Sequence, residues 1–407
     1  LRAADVAATF RRLLGSRELE MSGYLVDIAS VKALTPRTIE IVTKKPMSVL
    51  LNKLCFILVV PEGSDDAAVT SKPNGTGPFR FDSWKRNESI LLRRNETYWG
   101  PKPALSEVRI RLNRTSEQAV DDFLSRRSAM VESDSKRLEA ALRNEKDAEV
   151  LRQSSIFVKY LGFDQKRDVT PFSSVKRNPF KDRRVREAIQ LAVDRKKLVD
   201  SLPTAAVPAW QPVPRFIFGF DAGWKEPPFD PARARRLLAE AGLEKGFSTT
   251  LHVRKLFAAA APPIRQSLAD VGIAVDVVVL SDPDFFRALA DGKISFYLSR
   301  FGCPTGDASD ILDNHVHSRD PERHFGSRNF SSYSDPELDR RIEASGQILE
   351  TPIRREALQE IMKTLREEVV FVPLFIDQDV FALRKDLSWR PRNDDFVLAR
   401  EIELRGR

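Results

Sequence analysis

The sequence predicts an α/β protein of two or three domains, with mixed sheets flanked by helices. Length is the first ground: 407 residues exceed the roughly 150 expected of one domain. The second is a β-α-β-α-β rhythm, read as a strand at 249–253, a helix at 263–271, a strand at 273–280, a helix at 283–291 and a strand at 294–298. Such alternation argues for a mainly parallel sheet covered by helices. The third is helix punctuation. Asp230-Pro231 opens a helix that Gly242 closes, and Pro follows the opening residue again at Asp335-Pro336 and Thr351-Pro352.

Taken in order, Val6, Phe10, Leu13 and Leu14 recur at helical spacing, and Gly15 is placed to end that helix. Thr38 to Thr43 alternates as a strand. The apolar run Leu54 to Val60 contains Cys55, which reads as a buried structural thiol. Gly75-Thr76-Gly77-Pro78 is a tight turn into a strand whose Phe79 and Phe81 share one face. Further strands are expected at 79–84, 90–93, 108–112 and 156–163, with helices at 116–126 and 136–144. A long amphipathic helix follows Asp182, its buried stripe being Val185, Ile189, Ala192 and Val199. Pro203 to Pro228 is a long loop, and a strand is expected over 369–376.

Composition excludes several classes. The balance of 66 Lys+Arg against 58 Asp+Glu gives a net charge of +8, spread over mixed-sign helices instead of a basic stripe, so no nucleic-acid partner is expected. Two cysteines cannot build a disulfide framework or a Cys-based metal site. No apolar run reaches the ~18 residues of a membrane span. The first residues, Leu1-Arg2-Ala3-Ala4-Asp5, lack the charged-then-apolar start of a signal segment, and the absence of Met there points to a piece of a longer protein.

Candidate chemistry is sparse. Gly75-Thr76-Gly77 has Arg80 where a dinucleotide fingerprint needs its third glycine. Ser173-Ser174-Val175-Lys176 matches S-x-x-K without the partner motifs of acyl enzymes. His315, His317 and His324 lie in a polar stretch that reads as a solvated loop, so no metal site is expected. Arg300 to Asp313 is more informative, because it leaves the carboxyl end of an expected parallel strand, where α/β sheets place ligands. Within it Asp307, Asp310 and Asp313 are spaced by three. From these residues alone Asp307 is either a helix cap beside two solvated carboxylates or part of a binding or catalytic group.

Several segments together resemble a known family. They are Gly75-Thr76-Gly77-Pro78-Phe79 with Trp84, Arg94-Asn95 with Tyr98-Trp99, Asn178-Pro179-Phe180 through Ile189, and Asp230 to Gly242. In this order they are similar to segments of the family 5 solute-binding proteins of ABC importers, the dipeptide-, oligopeptide- and nickel-binding type. The resemblance implies a two-lobed periplasmic-binding-protein-like fold (type II, with an extra small domain) that closes on its ligand by hinge motion. It implies a periplasmic or cell-surface lipoprotein location, a monomer, a permease partner, no cofactor and no enzymatic activity. The implied domains are 1–73 (the remainder of the small domain), 74–163 (part of the first lobe), 164–384 (second lobe) and 385–407 (return to the first lobe). About the first hundred residues of a typical member have no counterpart here.

In peptide-binding members a segment G-W-x-x-D-x-x-D-P supplies an acidic residue to the peptide's α-ammonium. The resemblance puts Asp307 in that role, with Arg300, Cys303, Thr305 and Gly306 around it. Cys303-Pro304 stands where the tryptophan is expected, so Trp210 of the Pro-rich loop is a candidate replacement wall. Hinge strands are implied at 160–165, including Gly162 and Asp164, and at 381–386. The rival readings are a hydrolase using Asp307 and Asp310 as a carboxylate pair, and a receptor-like protein without a transport role.

Overall fold

A computed structural model describes residues 1–16 and 19–406. The chain forms two compact units: residues 1–153 with 379–407, and residues 154–378.

In the first unit, α1 (Ala3–Leu14) ends at Gly15 and buries Phe10 against Leu25, Ile28 and Ile57. The hairpin β1 (Ile28–Thr35) and β2 (Thr38–Thr43) is antiparallel. The short helices α2 (Leu50–Leu54) and α3 (Asp66–Ser71) follow. Cys55 is exposed, contrary to the sequence expectation: it follows the single turn of α2 on the outer side, while Leu54 and Ile57 of the same run turn toward Phe10. A second antiparallel sheet contains β3 (Phe79–Lys85), β4 (Ser89–Arg94) and β5 (Glu107–Arg111). The turn before β3 is tied to the end of β4 through Asn95. Its Nδ2 donates to the Gly77 carbonyl at 3.0 Å, its backbone N–H donates to the Pro78 carbonyl at 2.9 Å, and its Oδ1 accepts from Arg80 at 2.8 Å. Next come α4 (Ser116–Leu124), β6 (Met130–Ser133) and α5 (Lys136–Arg143). Thr115 and Gln118 form a reciprocal capping box on α4.

Strand β7 (Ala148–Phe163) leaves the first unit and becomes part of the second unit's sheet. There α6 (Arg183–Ala192) and α7 (Arg195–Ser201) replace the single helix expected after Asp182. The break falls at Val193-Asp194, where Asp194 is extended and accepts the Lys197 N–H, capping a second helix instead of continuing the first. The remaining elements are β8 (Ala206–Pro208), α8 (Pro231–Glu240), β9 (Phe247–Arg254), α9 (Ala261–Ala269), β10 (Ile273–Leu280), α10 (Asp282–Ala290), β11 (Phe296–Gly302), the one-turn α11 (Ser309–Ile311), α12 (Pro336–Ser345), α13 (Thr351–Glu368) and β12 (Val372–Arg384). The last strand carries the chain back to the first unit, where β13 (Leu387–Ser388) and β14 (Glu403–Leu404) pair.

The second unit's sheet runs β10-β9-β11-β7-β12, with β8 on β12. It is mixed, as the predicted fold class has it, although the β-α-β rhythm of residues 249–298 by itself suggests a mainly parallel sheet. β10, β9 and β11 are parallel, whereas β11 and β7 are antiparallel. The parallel part is the stretch with helical crossovers; β7 enters from the other unit, and so the β-α-β rhythm cannot register it. Each face of the sheet has its own core. Leu161, Phe163, Phe296 and Leu298 pack with α6 to α9, while Val158, Tyr160, Tyr297 and Phe301 pack with α10, α12 and α13. The alternation along β7 and β11 is the period of two, buried on both sides.

Candidate functional site

The richest polar chemistry of the second unit gathers at the carboxyl ends of β9 and β11 and the facing stretches of β7 and β12. Arg300 on β11 pairs directly across from Lys159 on β7, and Gly302 across from Phe157. These four positions therefore share one face. A Cβ at Gly302 would lie 2.4 Å from the Phe157 ring, so the glycine lets the ring lie flat over β11. Arg300 stacks its guanidinium on that ring, 4.0 Å from its centroid. Lys159 is buried, ion-paired to Asp377 of β12, and 5.8 and 5.9 Å from the Phe257 and Phe375 centroids. Arg254, the last residue of β9, is also buried. It makes a bidentate pair with Asp282 at the start of α10 and lies 5.1 Å from both Phe257 and Phe286. Chiefly through that hydrogen-bonded pairing, and with a smaller contribution from Arg300, the Asp282 carboxyl is held below the usual carboxylate range. Three cations, two carboxylates and four aromatic rings thus form one connected edge.

The residues singled out in the sequence divide. Arg300 belongs to this edge. Asp307 does not face it: the carboxylate is 4% exposed and both of its oxygens are taken by Arg354 of α13, at 2.6 and 2.8 Å. The same Oδ1 accepts the Ser309 N–H and hydroxyl at 3.0 and 2.8 Å, and Arg354 Nε donates to the Ser345 carbonyl. This is an internal ion pair with its remaining lone pairs satisfied. Thr305 is buried and donates its N–H and hydroxyl to Asp310 Oδ2 at 2.9 and 2.7 Å. Gly306 takes φ +74°, which suits glycine, and its carbonyl accepts the Phe218 N–H at 3.0 Å. Cys303 is buried, and burial pushes its thiol well above the ordinary value, with Asp310 and Asp307 adding to the shift. It is not a reactive thiolate. Trp210 donates its indole N–H to the Trp224 carbonyl at 2.7 Å inside the Pro-rich loop.

The two hinge candidates sit inside the second unit. Gly162 leaves room for Tyr297, whose ring lies 2.3 Å from where a Cβ would stand. Asp164 binds Arg167, and its backbone N–H donates to the Ser295 carbonyl. The unit boundaries fall at 153/154 and 378/379, upstream of the expected 163/164 and 384/385. His315 and His317 are both buried, not solvated. His317 is bonded to the Ser318 carbonyl and Glu343. Among the described residues no group of three metal-ligating side chains occurs.

Sequence reasoning missed Lys159, Arg254 and Arg354. A signal existed for the first: a lysine inside the apolar strand Val158 to Leu161 breaks the pattern of a doubly buried strand, and so needs a partner. Arg354 gave none, because it lies on a helix dense in charge.

Comparison with known proteins agrees with this architecture. The glutathione-binding protein GsiB of Escherichia coli O157:H7 is 27% identical over 390 residues, covering 89% of this chain and 71% of that protein. Among solved structures, HbpA2 from Haemophilus parasuis matches with a TM-score of 0.84 at 18% identity, covering 100% of this chain and 83% of the other. The periplasmic binding protein DppA from Helicobacter pylori, in complex with the peptide STSA, matches with a TM-score of 0.77 at 20% identity, covering 99% and 81%. At these identities the solved structures show the fold, the α/β class of two-lobed periplasmic binding proteins. No helix among the described residues is long and apolar enough to cross a membrane. The sequence profile of the bacterial extracellular solute-binding proteins, family 5 Middle, matches residues 1–322, and the chain belongs to that family.

Proposed function

We propose that the chain is the extracytoplasmic receptor of an ABC importer. It takes a small peptide-like solute at the carboxyl edge of the second unit's sheet and delivers it to a membrane permease. The observation that carries this reading is the edge itself: Lys159, Arg254 and Arg300 are each set against aromatic rings, Arg254 and Arg300 at the carboxyl ends of the parallel strands β9 and β11 and Lys159 on the adjoining β7. Relatives that bind glutathione and the peptide STSA favour a short peptide-like ligand. The bend of the receptor is assigned to the two crossing points, 153/154 on β7 and 378/379 on β12. Periplasmic release or a lipid anchor both fit a receptor of this kind.

A hydrolase reading finds little support in the same geometry. Its two carboxylates are occupied, Asp307 by Arg354 and Asp310 by the Thr305 N–H and hydroxyl. Neither is placed as a general acid or base. Native mass spectrometry of the purified chain, followed by calorimetry with the identified solute, tests the proposal. Stoichiometric binding without turnover is expected. Turnover of that solute, or a chain that retains no small molecule and binds none of a peptide panel, would overturn it.

A further inference from the structure

We propose that the first unit carries a site for a phosphoryl oxyanion, formed by Arg111, Arg114 and Arg127 around the single carboxylate of Asp122. All four residues belong to the first unit, whereas the solute edge belongs to the second, so the site stands or falls independently of the receptor reading.

The site is built from one short stretch of chain. Arg111 ends β5, Arg114 lies in the link to α4, Asp122 is on α4, and Arg127 follows its end. Val120 and Phe123 of α4 pack into the core with Val131 and Leu142, and Asp122 beside them is buried. After α4 the chain turns sharply, with Arg126 at φ +62° and the N–H groups of Arg127 and Ser128 donating to the Asp122 carbonyl at 2.8 and 2.9 Å. That turn returns the Arg127 side chain to the helix, where its Nε donates to Asp122 Oδ1 at 2.7 Å. Arg114 Nε and Arg111 Nη1 approach the other oxygen at 3.2 and 3.7 Å, yet Oδ2 accepts no hydrogen bond among the described residues. All three arginines remain partly exposed, Arg127 most of all.

Charge and geometry both mark this cluster as open. Three guanidiniums against one carboxylate leave two positive charges without a counter-charge, and the other acids of α4, Glu117 and Asp121, are exposed and make no ion pair among the described residues. Like charges gathered around one point repel unless an anion offsets them. Glu139 on α5 shows the closed alternative. It takes two guanidiniums, and Arg143 and Arg152 each bond it through Nε and Nη2 at 2.6 to 2.9 Å. At Asp122 only one guanidinium of three is hydrogen-bonded, so the N–H groups of Arg111 and Arg114 are left for an acceptor from solution. A carboxylate ligand has two oxygens and cannot serve three planar forks. A phosphoryl group offers more acceptors in a compact anion, and arginine suits it better than lysine. The group could be supplied by an anionic lipid headgroup or by free phosphate.

The test uses the whole chain with inorganic phosphate and, separately, with phosphatidylcholine vesicles that contain or lack phosphatidylglycerol. Phosphate should raise the melting temperature saturably, and by more than chloride at equal ionic strength. The double variant Arg111→Gln, Arg114→Gln should weaken the apparent Kd for phosphate roughly tenfold or more, the scale of lost charge-assisted bonds. The double variant Arg111→Lys, Arg114→Lys keeps the charge without the fork and should restore only part of that loss. Lys363→Gln, which removes an exposed charge of the second unit, should leave the Kd unchanged. Recruitment to phosphatidylglycerol vesicles that the glutamine pair abolishes supports the site with a headgroup as the source; phosphate stabilisation without recruitment supports it with free phosphate. A phosphate shift no larger than that of chloride, one that survives the glutamine pair, or one that Lys363→Gln weakens equally overturns the proposal.

Discussion

At the scale of single residues, Asp307 and Arg354 show how burial decides a role. A carboxylate in an exposed loop is available to a ligand; one that is 4% exposed and bidentately bonded is part of the core. Breaking the pair from one side should cost about 3–5 kcal/mol, because the other charge is left buried and unpaired. Denaturant unfolding of Asp307→Asn and Arg354→Met should each show that loss, and the double variant should lose less than the two together. Ligand affinity of the folded Asp307→Asn protein should stay within a few-fold of wild type; loss of binding with stability unchanged would contradict the structural role. Asp307 was legible as important from its place after a strand end. Its partner lies 47 residues away on another element, beyond the reach of local pattern.

At the scale of elements, the strands and caps were mostly legible because they depend on neighbours in sequence. Asp230 accepts the Arg233 N–H and Asp335 accepts the Glu337 and Leu338 N–H groups, as the Asp-Pro openings predict. The failures have local causes too. A second capping aspartate at 194 split one expected helix into α6 and α7. The direction of β7 was hidden, since a strand's sequence does not state which neighbour it pairs with. The pairing of β7 and β11 sets Phe157 over Gly302, and that contact can be probed. Gly302→Ala places a methyl group against the ring and should cost about 1–3 kcal/mol by overpacking, read as a lowered melting temperature. An unchanged melting temperature would mean the ring moves freely and is no platform.

At the scale of the whole molecule, buried titratable groups set how stability follows pH. His315 lies beneath Phe301, and burial, with Arg328 nearby, drives its pKa down to about 3 from an ordinary 6.5. The folded chain therefore keeps this imidazole neutral where the unfolded chain protonates it. Its contribution to stability is complete above about 6.5 and is lost as pH falls toward 3. Melting temperature should drop between pH 7 and pH 5, and His315→Gln should flatten that part of the profile; an equal slope in the variant would assign the loss to other groups. Along the chain, periodicity, caps and turn residues determined the α/β class and most element positions, and the resemblance of several segments carried the family. The tertiary structure decided which charges are spoken for. Arg354 on Asp307, Asp377 on Lys159 and Asp282 on Arg254 are pairings between distant elements, and only the packing of the second unit's sheet brings them within hydrogen-bond range.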